Sequence, residues 1–467
     1  MTSPSNELKQ RGIISYGEGL LDEAIANWKA ALQADSDDWE IMVYLGSALK
    51  ETGDIEAAAD YYRQVLTRQP DLAEVHYNLG NIYQTQGQLQ AAAECYLRAL
   101  NIKPEFAFAA YNLGNIYRDQ GRLQDAVDCY KQSILLAPEH APSYNNLGNA
   151  LKHQGQLELA MQCYQAALIK QPDYRDAMYN LGNVLFEQQD FAGALPWFDQ
   201  AEIRDATSRA LYCAYRSRNF TDFRQRLQLL EQEAPHQSPQ VATLAAHSAI
   251  NFGTENHYRF CPQPFDFVYQ VSVPELASEQ APLRQALLAD IESAGIEERL
   301  QGRLHEGVQS AGNLFYREEA SFRDLADLVR RHVDRYLERY AGADCELIRA
   351  FPAQREFESS WYIRMRQGGH LDSHIHEGGW VSGVLYLALP QRAADSTEGC
   401  FELGIHGDNY PVEEGAGDFP HKVLQIAVGD IVLFPANLFH RTIPFSADEE
   451  RICIAFDLRH NAWQRQS

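Results

Sequence analysis

The chain has 467 residues, of which 45% are hydrophobic, 22% charged and 11% aromatic, a composition that excludes a disordered protein and suits two or three domains. Its 40 basic and 64 acidic residues give a formal net charge of −24, so we expect neither nucleic acid nor an anionic membrane as a partner. No apolar stretch reaches the length of about 18 residues typical of a membrane-spanning helix, and residues 1–12 lack the features of an export signal, which together predict a cytoplasmic protein.

The N-terminal part of the sequence repeats at an interval of 34 residues. Three positions recur in every repeat, occupied by glycine, by alanine and by a large aromatic residue. They are Gly12, Gly46, Gly80, Gly114, Gly148 and Gly182; Ala24, Ala58, Ala92, Ala126, Ala160 and Ala194; and Trp28, Tyr62, Tyr96, Tyr130, Tyr164 and Phe198. This period is typical of stacked helical hairpins, in which small residues let two helices approach closely and aromatic residues fill the gap between neighbouring hairpins.

This pattern resembles the tetratricopeptide repeat family, with six units in register over residues 4–203. The resemblance implies an α-solenoid of helical hairpins, because one hairpin cannot bury its apolar face alone. Residues 204–258 still have a helical pattern but lack the glycine and alanine positions, and we interpret them as a degenerate repeat and cap.

One position on the first helix of the repeats carries asparagine four times in succession. The residues are Asn78, Asn112, Asn146 and Asn180. A row of carboxamides can hydrogen-bond the backbone of an extended peptide whatever its side chains. We therefore predict a groove that binds a protein or peptide, with solvated asparagines of no special role as the alternative.

Beyond residues 261–264, whose sequence CPQP marks a boundary, the pattern changes to that of an α+β domain over residues 262–467. Residues 265–273 alternate as a strand does, and 283–292 and 322–340 are amphipathic as helices are. Further strands are predicted at 361–366, 381–389, 399–403, 431–435 and 451–458. Helices followed by antiparallel strands suggest supporting helices around a small double-sheet barrel.

Two histidine motifs in this domain suggest a metal site. His374 and His376 are two residues apart, so on an extended strand their imidazoles point to one side, and His440 follows the apolar run 431–435. Two neighbouring ligands and one remote ligand form a facial site that leaves coordination positions open. Arg451 opens a strand that is otherwise apolar, a position that usually has an anion to bind because burial of an unpaired charge is costly.

The runs RMRQGGHLDSHIHEGGWVSGVLYLALP, GDIVLFPANLFHRTIPF and RICIAFDL resemble a bacterial family of Fe(II)- and 2-oxoglutarate-dependent oxygenases over about residues 300–460. The resemblance implies a double-stranded β-helix (jelly roll), and Fe(II), 2-oxoglutarate and O2 as cofactor and cosubstrates. It assigns His374, His376 and His440 to iron, and Arg451 to the distal carboxylate of 2-oxoglutarate. Tetratricopeptide repeats ahead of such a domain are a familiar arrangement, which implies a hydroxylase that acts on a protein or peptide.

The ligand set that the resemblance implies has three histidines and no acidic residue. The better-known oxygenases of this fold instead use the pattern HxD, with an aspartate as one of the iron ligands. This sequence contains that pattern as well, at His370 and Asp372. A set of His370, Asp372 and His440 therefore stays open, as do mixed sets with Asp372 or Glu377. His440 and Arg451 are common to every set.

Two other functions also remain open at this stage. The chain could be a non-catalytic tetratricopeptide scaffold that carries an inert barrel. It could also be another cupin-like non-haem iron enzyme, such as an isomerase or a three-histidine dioxygenase that needs no keto acid, because three histidines without a carboxylate suit such chemistry.

Overall fold

The computed structural model describes residues 4–203, 205–233, 235–353, 355–376, 378–407 and 409–459. The chain divides into two compact units, Met1–Ala206 and Thr207–Ser467. No helix in the described ranges combines the length and apolar character needed to cross a membrane.

The first unit is a series of six antiparallel helical hairpins. Its helices are α1 (Pro4–Gly17), α2 (Leu21–Ala34), α3 (Trp39–Glu51), α4 (Ile55–Arg68), α5 (Ala73–Thr85), α6 (Leu89–Ile102), α7 (Ala107–Asp119), α8 (Leu123–Leu136), α9 (Ala141–His153), α10 (Leu157–Lys170), α11 (Arg175–Glu187) and α12 (Phe191–Ala201). The turn inside a hairpin requires a positive φ, which Gly121 adopts at 74° and Gln189 adopts in the last hairpin at 62°. The predicted α-solenoid is confirmed.

The recurring aromatic residue packs inside its own hairpin. A methyl group added at Gly114 of α7 would lie 2.7 Å from Cε1 of Tyr130 in α8, and Tyr130 is fully buried. The hydroxyl of Tyr130 donates a hydrogen bond to Oδ1 of Asn115, also in α7. At the same repeat position, Trp28 of α2 also contacts the next hairpin: it stacks on Tyr44 of α3, with ring centroids 5.4 Å apart. The recurring ring thus covers the glycine of its own unit.

This contact predicts opposite effects for two glycine-to-alanine changes. Gly114→Ala overpacks the hairpin and should destabilise the array by about 1–3 kcal/mol. Gly17→Ala, at the end of α1 where an added methyl group meets no atom within 4 Å, should stabilise it by about 0.5–1 kcal/mol because the unfolded chain loses freedom. Urea unfolding followed by far-ultraviolet circular dichroism measures both. Equal midpoints for the two variants would contradict the packing argument.

The second unit begins with the helices α13 (Ala206–Arg216, whose first residue closes the first unit), α14 (Phe220–Gln232) and α15 (Pro239–Phe252). In α15, Thr243 donates a hydrogen bond to the carbonyl of Asn437, and Asn251 donates one to the carbonyl of Pro411. The segment predicted as a degenerate repeat and cap thus packs on loops of the C-terminal domain. The predicted domain boundaries at 204, 258 and 262 stay a prediction.

The remaining elements form a curled antiparallel sheet with supporting helices. Its helices are α16 (Pro274–Ala277), α17 (Pro282–Ser293), α18 (Ala320–Tyr340) and α19 (Glu346–Arg349), and its strands are β1 (Tyr269–Ser272), β2 (Glu298–Arg299), β3 (Leu304–Ser310), β4 (Phe357–His374), β5 (Gly379–Ala388), β6 (Phe401–Gly404), β7 (His421–Leu424), β8 (Asp430–Pro435), β9 (Phe439–Thr442) and β10 (Arg451–Arg459). The strand order is β1-β8-β5-β10-β4-β9-β6-β7, with β3 also on β4 and β2 on β3. This jelly-roll architecture confirms the predicted fold class.

The long strand β4 organises the sheet around the predicted site. It pairs with β10 and β3 along its length and with β9 at its end. Strands β5, β8 and β10 are buried almost throughout, because their apolar runs supply the core on both faces. The ends of β4 and β9 and the start of β10 carry the candidate site residues.

Candidate metal centre

Three histidines converge at the end of strand β4. His374 is the last residue of β4 and lies directly opposite His440 of β9 in the antiparallel ladder, while His376 follows β4 by two residues. The Nε2 atoms of His374 and His376 are 3.2 Å apart. The ring of His440 lies 4.2 Å from that of His374 and 4.7 Å from that of His376, centroid to centroid. One ligand atom from each histidine lies within 4.8 Å of the others, close enough to share one ion.

An acceptor fixes the other nitrogen of each ring. The Nδ1 atom of His374 donates to the carbonyl of Asp372 at 2.8 Å, and that of His440 to the carbonyl of Leu438 at 3.4 Å. The Nδ1 atom of His376 donates to the Oδ1 atom of Asp457 at 2.7 Å. Because these bonds place the proton on Nδ1, each neutral ring directs an Nε2 lone pair toward the centre, as metal-binding imidazoles do.

Burial keeps the rings of His374 and His440 neutral. Burial, together with the neighbouring His376, lowers the pKa of His374 to about 3. Burial also puts the pKa of His440 well below its ordinary value, with His374 and His376 acting in the same direction. Neutral, converging imidazoles suit a divalent transition metal, which requires deprotonated nitrogen ligands.

Asp457 is a buried carboxylate behind His376 that sequence reasoning missed. Burial alone raises its pKa, but His376 and hydrogen bonds from Ser382 and Ser359 outweigh burial and lower it. Ser382 donates to its Oδ1 atom at 2.7 Å and Ser359 to its Oδ2 atom at 3.1 Å. The sequence signal was an acidic residue near the end of the apolar run RICIAFDL; its partner depends on strand register, which the sequence does not give.

Arg451 is buried in the same domain, and no carboxylate among the described residues pairs with it. It is only 1% exposed, and its described contacts are a hydrogen bond from Nε to the carbonyl of Gly399 at 3.3 Å and contacts with sulfur atoms. The acidic neighbour Glu450 pairs with Arg364 instead, at 3.0 Å. Arg451 therefore forms no salt bridge to an acidic neighbour in sequence among the described residues.

The ring of Tyr386 on β5 packs against this guanidinium. Its centroid lies 5.1 Å from the Cζ atom of Arg451. The hydroxyl of Tyr386 is buried and has no hydrogen-bond partner within the described ranges. A buried cation and a buried hydroxyl thus lie together without an anionic acceptor, and sequence reasoning did not single out Tyr386.

A cavity of about 360 Å³ connects the three histidines with Arg451. All three histidines and Arg451 line it, together with apolar side chains such as Phe401. No acidic residue is among the described lining residues, although acidic residues outnumber basic ones in the chain. The cavity therefore suits an anionic ligand beside a metal ion.

The alternative ligands His370 and Asp372 lie elsewhere. Their side chains meet His305 of β3 in a separate, more exposed group, and among the described residues they form no group with His440. Although Asp372 is close to His374 in sequence, only its backbone oxygen supports that ring. Glu377 lies outside the described residues.

The predicted peptide-binding asparagines lie in the first unit, and three of them bond the preceding hairpin. The Nδ2 atoms of Asn112 and Asn146 donate to the Oδ1 atoms of Asn81 and Asn115, at 2.9 and 2.8 Å. The Nδ2 atom of Asn180 donates to the Oδ1 atom of Asn145, at 2.9 Å. Asn78 is partly exposed. These carboxamides thus tie neighbouring repeats together and are not simply solvated.

Comparison with known families agrees with both halves of the chain. Residues 359–457 match the model of a family described as "Putative 2OG-Fe(II) oxygenase". Four tetratricopeptide repeat models match residues 46–87, 73–106, 106–168 and 145–210. The predicted fusion of tetratricopeptide repeats with a 2-oxoglutarate- and Fe(II)-dependent oxygenase domain is confirmed at the level of these families, and that oxygenase family's description names both 2-oxoglutarate and iron.

Three solved structures match part of the chain. MamA is 27% identical, with 34% of this chain and 94% of MamA covered and a TM-score of 0.34. PilF of Pseudomonas aeruginosa is 18% identical, with coverages of 42% and 90% and a TM-score of 0.37. YrrB, described as a TPR protein with an unusual peptide-binding site, is 22% identical, with coverages of 40% and 96% and a TM-score of 0.36. No curated protein matches the chain significantly.

Proposed function

We propose that the protein is an Fe(II)- and 2-oxoglutarate-dependent oxygenase that hydroxylates a protein or peptide. The observation that carries the proposal is the convergence of three histidines, of which His374 and His440 are buried and neutral, in the domain that matches the oxygenase family. Iron bound there, with 2-oxoglutarate and O2, supplies the oxidising power to hydroxylate a C–H bond while 2-oxoglutarate becomes succinate and CO2.

His374, His376 and His440 are the proposed iron ligands. Three protein ligands on one side of an ion leave the other side open toward the cavity, as a facial site requires. In this role, Asp457 orients His376 and adds electron density to it through the Nδ1 hydrogen bond. In HxD oxygenases an aspartate binds the metal directly. Here the negative charge would be that of Asp457, which is hydrogen-bonded to the ligand His376.

Arg451 is the proposed partner of the distal carboxylate of 2-oxoglutarate. A carboxylate in the cavity would give the buried guanidinium the anion it lacks, and it would accept a hydrogen bond from the orphaned hydroxyl of Tyr386. Apolar side chains such as Phe401 and Val384 also line the cavity, and a charged pair is stronger in surroundings of low polarity.

A protein or peptide substrate is proposed from the repeats. Tetratricopeptide arrays present rows of side chains for protein binding, and the row Asn78, Asn112, Asn146 and Asn180 is the proposed contact with the peptide backbone. The Nδ2 bonds of three of these residues engage only part of each carboxamide, because a carboxamide offers two donors and two acceptor positions. The cytoplasmic location predicted from the sequence belongs to this proposal.

The decisive experiment measures succinate formed from 2-oxoglutarate by the full chain, with and without Fe(II). We expect iron-dependent succinate formation, which a protein substrate stimulates. Oxygen uptake that needs iron but ignores 2-oxoglutarate would instead identify another cupin-like enzyme. If the chain retains no iron after anaerobic loading and forms no succinate when oxygen is then admitted, it is a non-catalytic scaffold.

The role of Asp457 gives a prediction of its own. Asp457→Asn keeps the shape of the side chain but removes its charge, and we expect metal affinity to fall about 10–100-fold, as is usual when the support of a metal-bound histidine is lost. Anaerobic titration with Co²⁺ measures the change.

Asp430→Asn is the matched control, since Asp430 is also a buried aspartate of the barrel but bonds Gln270 and the amide of Ala427. Its metal affinity should equal that of the unaltered chain. Equal affinity in the Asp457 variant would show that this carboxylate does not support the ligand.

A further inference from the structure

We infer that a second divalent-metal site lies on the surface formed by strands β3 and β4, with His305, His370 and Asp372 as ligands. One ligand atom from each of these residues lies within 4.8 Å of the others. The inference is independent of the oxygenase proposal, because it concerns residues that form no group with His440 in the described chain.

Strand pairing fixes the three side chains on one face. His305 of β3 lies directly opposite His370 of β4, and Asp372 follows His370 by two residues on the same strand. Opposite residues and residues two apart point to the same side of a sheet, so the arrangement does not depend on a mobile loop.

The contacts within the group show how an ion would fit. The Nε2 atom of His305 lies 3.0 Å from Oδ2 of Asp372, and that of His370 lies 3.8 Å from Oδ1. The Nδ1 atom of His370 donates to the carbonyl of Gly368 at 3.0 Å, which leaves Nε2 of His370 as its acceptor. Both rings thus direct Nε2 toward one carboxylate, and a metal ion can replace the proton that His305 shares with Asp372.

A plain salt bridge does not account for the second histidine. The two rings are stacked, with centroids 4.3 Å apart and planes at 10°. Only Nε2 of His305 lies within hydrogen-bond distance of Asp372, whereas Nε2 of His370 lies 3.8 Å from it and has no hydrogen-bond partner among the described residues. A shared cation would bind the Nε2 atoms of both rings together with the carboxylate.

The chemistry of the donors selects the class of metal. Two imidazole nitrogens and one carboxylate oxygen suit Zn²⁺, Co²⁺, Ni²⁺ or Cu²⁺ and disfavour Mg²⁺ and Ca²⁺, which prefer oxygen ligands. The side chains of His305, His370 and Asp372 are 45%, 31% and 52% exposed, so an ion can reach them from solvent and keep water in its remaining positions.

Asp372 links this site to the buried histidines. Its carboxylate faces His305, whereas its backbone oxygen accepts the Nδ1 hydrogen bond of His374. An ion at the surface site would therefore hold the segment that orients a ligand of the inner centre.

Isothermal titration of the metal-stripped full chain with Co²⁺ tests the inference by counting ions. We expect two ions per chain, one after His305→Ala or Asp372→Asn, one after His440→Ala, and none after His305→Ala combined with His440→Ala. His421→Ala, which removes an exposed histidine of β7, should still bind two.

The same number of ions in the unaltered chain and in the Asp372→Asn and His305→Ala variants would overturn the inference. One ion per unaltered chain that His305→Ala removes would keep the surface site and contradict the inner centre. Because the side chains of His305, His370 and Asp372 are exposed, their replacement should leave the fold intact, and circular dichroism of each variant checks this directly. A chain that forms no succinate but binds two ions would contradict the proposed function and leave the surface site intact.

Discussion

Replacement of His440 by alanine is expected to lower iron-dependent succinate formation by at least about 100-fold, since loss of even the residues that support a metal ligand typically costs 10–100-fold. His440 is the one proposed ligand on β9, and the two other proposed ligands lie on β4 and just beyond it. Without it the ion has ligands on one edge only and binds weakly. Succinate measured by proton nuclear magnetic resonance at saturating iron and 2-oxoglutarate checks this result.

His440→Gln and His421→Ala are the controls for this experiment. The glutamine variant fills the buried volume and separates loss of the ligand from loss of packing, and we expect it to be as inactive as the alanine variant. His421 is an exposed histidine on β7, so its replacement should leave turnover unchanged. Wild-type turnover in folded His440→Ala would remove His440 from the proposed ligand set.

Replacement of Arg451 by methionine is expected to raise the KM for 2-oxoglutarate about 100-fold, because a buried charged partner typically contributes 2–5 kcal/mol to binding. The same change should not lower the thermal stability of the protein without 2-oxoglutarate. Methionine fills much of the same volume, and a buried cation without an anion is costly to the fold. Initial rates and thermal unfolding with and without 2-oxoglutarate measure the two effects.

Tyr386→Phe is the companion to this variant. It removes only the buried hydroxyl that has no partner among the described residues, so stability without 2-oxoglutarate should stay constant or rise. Its KM should rise less than that of Arg451→Met, because a neutral hydrogen bond is weaker than a charged pair. An unchanged KM in Arg451→Met would show that the cosubstrate binds elsewhere.

The repeat array was predictable because its signals are local. A fixed period, a small residue where helices meet and an aromatic residue 16 positions after each glycine specify a hairpin without knowledge of distant contacts. The long apolar strands were predictable for the same reason, since β5, β8 and β10 are buried on both faces. Strands β3, β7 and β9 were missed because they are short or mixed in polarity, and they form through pairing with distant strands.

The three clustered histidines were predictable from spacing and family resemblance, but the sequence could not choose between His374 with His376 and His370 with Asp372. Both pairs have the same spacing on one segment. The choice depends on which residues of β4 lie opposite β9 and which lie opposite β3. Asp457 and Tyr386 could not be found for the same reason, because their roles arise from cross-strand neighbours far away in sequence.

The asparagine bonds between hairpins have a mechanical consequence. Asn112 and Asn146 each hydrogen-bond the preceding hairpin, so these bonds resist bending between hairpins of the first unit. A bound peptide that hydrogen-bonded one of these carboxamides would weaken its hydrogen bond to the neighbouring hairpin and let the array bend there. Tighter binding of the peptide would then make the repeat array more flexible.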